Sequence, residues 1–158
     1  MALNKGKKFE AVFEAAWSKQ YGKNSLLRLP DQMSGYKIVS QNPCDYVCYK
    51  KPYLYLVECK ETTSSTLNWS AFPQYDRLSN YVDVDGIIAG VLIWFSKHDK
   101  VAFVSIKDCI KMHNENKKSI NVKDIDNDNY HILDVKCEIK RIYPVLDLSD
   151  MVALPEGW

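Results

Sequence analysis

A chain of 158 residues with 46% hydrophobic and 26% charged content has the size and make-up of one globular domain with a sizeable core, which excludes a disordered or low-complexity protein. The longest uncharged apolar run, residues 86–95, is too short to span a bilayer, and Glu10 and Glu14 interrupt the apolar stretch behind the N-terminal lysines, so no membrane span or signal peptide is expected and the protein reads as cytoplasmic. The net charge of +1 is polarised, with six Lys/Arg against two Glu in residues 1–28 and three against eight Asp/Glu in residues 124–158; a basic face for a polyanion and ordinary solvated charge both fit.

In chain order, residues 9–21 read as a helix, because Phe9, Val12, Phe13, Ala16 and Trp17 recur at helical spacing and Gly22 suits its C-terminal end. Glu10 falls at the edge of that apolar stripe and Glu14 farther toward solvent. Residues 23–42 read as a strand, a loop or protrusion, and a second strand at 36–39. Runs at 45–49 and 53–61, separated by Lys50, Lys51 and Pro52, form a hairpin. Residues 64–68 read as polar loop, followed by a helix from Ser70 that turns Tyr75, Leu78 and Val82 inward. The continuous apolar run 86–95 is typical of a strand buried on both faces. A turn and a strand at 101–104 follow. Ser105 with Asp108 then caps a short helix to Asn114, and 130–135 and 139–146 are further strands. The order implies a mixed sheet flanked by helices, and residues 1–158 form a single domain in which 107–158 extend the core.

The five cysteines are odd in number and lie in apolar surroundings, as buried reduced thiols do. Cys44 and Cys48 share a strand face but lack a second Cys/His pair at zinc spacing. Asp124-Ile125-Asp126-Asn127-Asp128 lacks the glycine and glutamate of a calcium loop and reads as a polar turn.

The chemically informative stretch is Cys44-Asp45, then Glu58-Cys59-Lys60. Strand alternation puts Glu58 and Lys60 on one face and Cys59 on the other. If the hairpin turns at Lys51-Pro52, residues whose numbers sum to 103 face each other, and Asp45 lies opposite Glu58. Two adjacent carboxylates repel, so they share a proton or bind a hard cation. One or two carboxylates suit Mg²⁺, and a lysine beside a metal-bound water can orient it or stabilise charge on a phosphate. The same trio also suits a cross-strand ion-pair cluster on a solvated sheet face.

This segment resembles the PD-(D/E)xK nuclease superfamily, and more narrowly the RecU-type Holliday junction resolvases of low-GC Gram-positive bacteria and their phages. The resemblance rests on Asn4-Lys5-Gly6 with Phe9-Glu10, on Cys44-Asp45-Tyr46, and on Glu58-Cys59-Lys60-Glu61-Thr62. Phe72, Gln74 and Gly86-Ile87 extend it to roughly residues 4–106. It implies a restriction-endonuclease-like α/β fold, a mixed central β-sheet flanked by helices. By the same resemblance Asp45 and Glu58 bind Mg²⁺, or Mn²⁺ in its place, with the Cys59 carbonyl as third ligand. Lys60 positions or activates the attacking water, and Glu10 approaches from the first helix. Thr62 and Gln74 contact the phosphate or orient the DNA strand.

Lys5, Lys7, Lys8 and Arg28, close to this site in sequence, are candidate phosphate contacts, and Trp69 in its polar loop is a candidate base-stacking residue. Pro73 stands where these resolvases usually carry histidine, and the segment between Glu10 and Asp45 is shorter than theirs. The implied activity is endonucleolytic resolution of four-way DNA junctions by a homodimer, with 86–95 and the C-terminal strands as the expected interface. The same chemistry on other DNA, and a non-catalytic DNA-binding relative, are the two alternatives.

Overall fold

The computed structural model describes residues 5–30, 42–154 and 158, and for residues 5 and 6 only the backbone. Phe9, Phe13, Ala16 and Trp17 are the buried stripe of helix α1 (Lys5–Tyr21), which ends where Gly22 adopts a φ of 91° and its N–H bonds to Ser18. The chain continues through β1 (Leu26–Arg28), β2 (Tyr46–Lys50), β3 (Tyr53–Thr62), a short β4 (Thr66–Asn68) and α2 (Tyr75–Ser79). Then come β5 (Ile87–Phe95), β6 (Lys100–Ser105), α3 (Ile106–Asn114), β7 (Ser119–Asn121), β8 (Ile132–Val135), β9 (Cys137–Lys140), β10 (Tyr143–Leu146) and α4 (Ser149–Val152). Six strands form one sheet in the order β1-β2-β3-β5-β6-β8, in which only β3 and β5 run parallel. A mixed central sheet with helices on both faces is the expected architecture.

The sheet separates two cores. On one face Tyr55, Val57, Cys59, Leu92 and Trp94 pack against the α1 stripe; on the other Leu56, Val91, Ile93 and Phe95 pack with Phe72, Leu78, Ile106 and Met112. Strand alternation sends successive side chains of β3 and β5 to opposite cores, which is why β5 reads as one unbroken apolar run. Because β5 lies between β3 and β6 and is buried on both faces, it is internal and unable to serve as the dimer interface expected of it. Gly90 belongs to that strand for want of space: a Cβ there would sit 2.6 Å from the Phe103 ring and 2.6 Å from the Val104 carbonyl.

The β2–β3 hairpin has the register inferred from its turn, from Tyr46 opposite Val57 to Lys50 opposite Tyr53. Ser105 caps α3 as expected, accepting the Asp108 N–H at 3.1 Å. Other segments differ from expectation. Part of the polar loop is β4, paired with β7. The helix from Ser70 is a 3-10 turn, Trp69–Ala71, and then the short α2, because Pro73 has no N–H to donate and keeps Phe72 out of the helical region. The run 139–146 is not one strand but the β9–β10 hairpin, turning where Arg141 has a φ of 62°. The strand expected at 36–39 lies outside the described residues.

Within 107–158, α3 covers the second core, β8 edges the sheet, and Leu146, Leu148 and Met151 pack under α1. Gln20 of α1 binds this region at both ends of its amide, donating to the Leu146 carbonyl at 2.8 Å and accepting the Leu148 N–H at 2.9 Å. Among the described residues no helix is long and apolar enough to cross a membrane.

Substituting Gly90→Ala forces the β5–β6 pair apart and is expected to cost about 1–3 kcal/mol, read as a lower urea midpoint with an unchanged slope. An unchanged midpoint would show that Phe103 moves aside freely.

Candidate active site

β3 outruns β2. Their pairing stops at Tyr46 and Val57, whereas β3 continues beside β5 to Thr62, so Glu58–Thr62 have a strand on one side only. Asp45, directly ahead of β2, fills the start of this notch. Its Oδ2 accepts the Cys59 N–H at 2.9 Å, and its own carbonyl accepts the Leu29 N–H at 2.8 Å, tying it to both neighbouring segments. Continuing the hairpin register puts Asp45 opposite Glu58, which is 2% exposed. Glu58 Oε1 lies 2.9 Å from Lys60 Nζ, and Glu58 Oε2 is buried without a hydrogen-bond partner.

Burial raises both acids. Asp45 is pushed up to about 6 by desolvation, opposed by the Cys59 N–H and reinforced by Glu10. Glu58 is pushed up to about 7 by desolvation and then by Asp45, with Lys60 pulling the other way. Without a counter-cation the pair therefore retains a proton near neutrality. A hard cation would relieve the same strain, and the orphaned Glu58 Oε2 is a buried acceptor suited to it. The donors at hand are all oxygen, as a small divalent ion prefers. In a strand the N–H and C=O of one residue point to the same edge, so the Cys59 carbonyl shares the notch with the N–H that binds Asp45. Among the described residues no three His, Cys, Asp or Glu side chains form a metal-holding group.

Glu10 reaches the site from α1, with Oε2 3.0 Å from Arg28 Nη2 on β1. Glu14 is half-buried rather than farther into solvent, because a neighbour reaches out to it. The hydroxyl of buried Tyr46 lies 3.0 Å from Glu14 Oε2 and 3.2 Å from the Glu10 carbonyl, so its one proton is shared between two acceptors on successive turns of α1. Sequence reasoning missed this clamp. Its signal is that Tyr46 follows Asp45 on the strand and so faces α1, where Glu10 and Glu14 are four residues apart. Sequence reasoning also missed Arg77 of α2, whose Nη1 holds the Asn42 carbonyl at 3.1 Å just upstream of Asp45.

The remaining candidates are dispersed. Thr62 Oγ1 is engaged in its own turn, donating to the Thr66 carbonyl and accepting the Ser64 N–H, each at 3.1 Å. Gln74 stands just before α2 with a buried side-chain oxygen that lacks a partner. At about 100° per residue, Lys7 lies on the Glu10 and Glu14 flank of α1, whereas Lys8 lies on the far flank, its Nζ 5.5 Å from the Tyr143 ring centre. The Lys5 side chain lies outside the described residues. Trp69 is half-buried, donating to the Lys117 carbonyl at 2.6 Å and packed by Tyr75 and His113. Cys44 and Cys48 face opposite cores, contrary to a shared strand face, because β2 begins only after Cys44. Burial raises Cys44 to about 12, an inert thiol. Asp124 is a structural cap, bound by Lys117 at 2.7 Å and by the Asn121 N–H at 2.8 Å.

A mixed sheet carrying two facing carboxylates and a lysine at an open strand edge has the layout of an α/β nuclease domain. The family model described as Recombination protein U, RecU, matches residues 5–149, and the chain belongs to that family, the RecU-type Holliday junction resolvases. Among solved structures the chain is similar to Hjc of Archaeoglobus fulgidus, a Holliday junction resolvase from an archaeal hyperthermophile. That match has a TM-score of 0.48 and 20% identity, covering 65% of this chain and 78% of the other. No curated protein matches the sequence.

The raised acids make a pH prediction. Their folded-state values of about 6 and about 7 exceed those of free carboxyls, so the pair favours the folded state most at low pH and loses that contribution as pH rises through both values. In EDTA, Tm should fall between about pH 5 and pH 8 more steeply for wild type than for Asp45→Asn. Parallel curves would mean that burial does not raise Asp45 and that Asp45 does not raise Glu58.

Proposed function

We propose that the protein is a divalent-metal-dependent endonuclease that resolves four-way DNA junctions as a homodimer. The observation that carries this reading is the convergence of Asp45, Glu58 and Lys60 in the notch beside β3, in a chain of the RecU family. Asp45, Glu58 and the Cys59 carbonyl would hold Mg²⁺ or Mn²⁺, which when bound supplies an acidified water and neutralises phosphate charge.

The chain's own groups do the rest. The Cys59 N–H fixes the Asp45 carboxylate at 2.9 Å. Lys60 Nζ, anchored on Glu58, presents its remaining protons to the attacking water or a phosphate oxygen. Glu10 adds negative charge at the rim, where its bond to Arg28 limits its movement. Lys5, Lys7 and Arg28, with Gln74, make phosphate contacts that carry affinity rather than sequence preference, while the Thr62 hydroxyl is spent on holding the loop to Thr66. Symmetric cutting of a four-way junction requires two such sites related by a two-fold axis, hence the homodimer.

A labelled four-way junction and a matched linear duplex, each with Mg²⁺ or EDTA, test this. Paired symmetric nicks in the junction alone are expected. They should be lost in EDTA and fall at least about a hundredfold in Asp45→Asn, with junction binding held within a few-fold. Cutting without junction preference would reassign the substrate to DNA in general. Tight junction binding without cutting would remove the enzyme claim.

The clamp on α1 makes a second prediction. Glu14→Gln keeps an acceptor for Tyr46 and should cost little activity, whereas Glu10→Gln removes a charge from the site and should cost about tenfold or more. Tyr46→Phe, nearly isosteric, should slow cleavage at unchanged junction affinity. If Glu14→Gln proved the more damaging of the two glutamine variants, α1 would be phased differently at the site.

A further inference from the structure

On the flank of α1 turned away from Glu10, the helix and the C-terminal hairpin enclose an open groove of about 700 Å³. Its floor is apolar and small: Ala11 and Ala15 come from successive turns of the helix, and Val145, 46% exposed, comes from β10. Lys8, Lys19 and Lys140 stand along it, and among the described residues no carboxylate lines it. This is a cleft of ligand-binding size with one sign of charge on its rim. The proposed cleavage site does not use it.

We propose that this groove docks an acidic amphipathic helix of a partner protein. Ala11 and Ala15 leave a smooth strip on α1 against which a second helix can seat a ridge of apolar side chains. An apolar stripe flanked by Asp or Glu then meets apolar floor and lysine rim together, the helix-in-groove mode of recognition. Nucleic acid is the poorer occupant, because the floor offers nothing to phosphate and would stay wet. A second copy is poorer still: a two-fold axis through the groove would set its lysines against their own equivalents. Lys140 has Glu138 3.6 Å away, but that carboxylate is outside the lining and leaves Lys8 and Lys19 uncompensated by the groove itself.

A displayed library of random peptides of about sixteen residues, long enough for a helix of about 24 Å, tests the assignment by selection on the full chain, with Ala15→Glu as counter-target. Both Ala15 and Lys19 are exposed on α1 and lie outside the cleavage site, so thermal melting and junction cleavage by Ala15→Glu and Lys19→Glu should match wild type. Enriched peptides should place Leu, Ile or Phe at helical spacing between acidic residues. A synthetic consensus peptide should gain helicity on binding, bind less tightly as salt rises, and bind each variant at least about tenfold less tightly. The assignment is overturned by no enrichment, by basic or non-helical consensus sequences, or by binding that ignores both variants. It is overturned equally if Ala15→Glu dissociates a wild-type dimer in sedimentation, or if Lys19→Glu weakens junction binding as much as peptide binding.

Discussion

A strand edge left open inside a protein exposes backbone N–H and C=O groups that must find partners, and β3 creates such an edge by continuing five residues past the end of its pairing with β2. Asp45 meets one of these needs by accepting the Cys59 N–H. Doing so fixes where a carboxylate stands beside Glu58, and the Cys59 carbonyl is left facing the same space. The hairpin register, the neighbouring positions of Glu58 and Lys60 on one face, and the approach of α1 with Glu10 all bear on that notch. Had β2 begun a few residues earlier, an ordinary ladder would have closed it.

The notch is also where this fold departs from the usual avoidance of buried charge. Glu58 is 2% exposed and keeps one oxygen without a partner, while Lys60 answers only the other. Gln74 Oε1, Tyr55 OH and Trp94 Nε1 are also buried without partners, but Glu58 alone of these combines such an atom with a second acid beside it, the pattern expected where a fold gives up stability for chemistry. The Tyr46 hydroxyl has the complementary role. It spends its proton on two turns of α1 and so holds the helix that carries Glu10 against the strand that follows Asp45.

What the sequence shows depends on how local the deciding physics is. The β2–β3 register was legible because a short turn and strict alternation determine it, and the Ser105 cap because it acts over three residues. The burial of β5 was legible as an unbroken apolar run, yet the same run suggests an interface as readily as a central strand. Glu14 was misread because helical phase measures distance from the helix's own stripe, not whether Tyr46 reaches across to it. The β9–β10 turn carries no glycine, proline or asparagine, and Arg141 takes a left-handed backbone that its residue type does not announce. The pairing of β4 with β7 joins segments some fifty residues apart, beyond any local signal.

The hold of Gln20 on Leu146 and Leu148 spans almost the full chain, and the α1 stripe shares its core with Leu148 and Met151. Contacts of such separation close late, because the entropy of a long loop must be met before they contribute. The helix that brings Glu10 to the carboxylate pair is thus seated fully only after residues 126 and 128 positions beyond Gln20 have folded against it. On the ribosome, where the chain emerges from its N-terminus, the hairpin bearing Asp45 and Glu58 can form well before α1 has its final neighbours. A chain cut ahead of Leu146 would keep the hairpin and its two acids but lose part of the packing that seats the helix carrying Glu10.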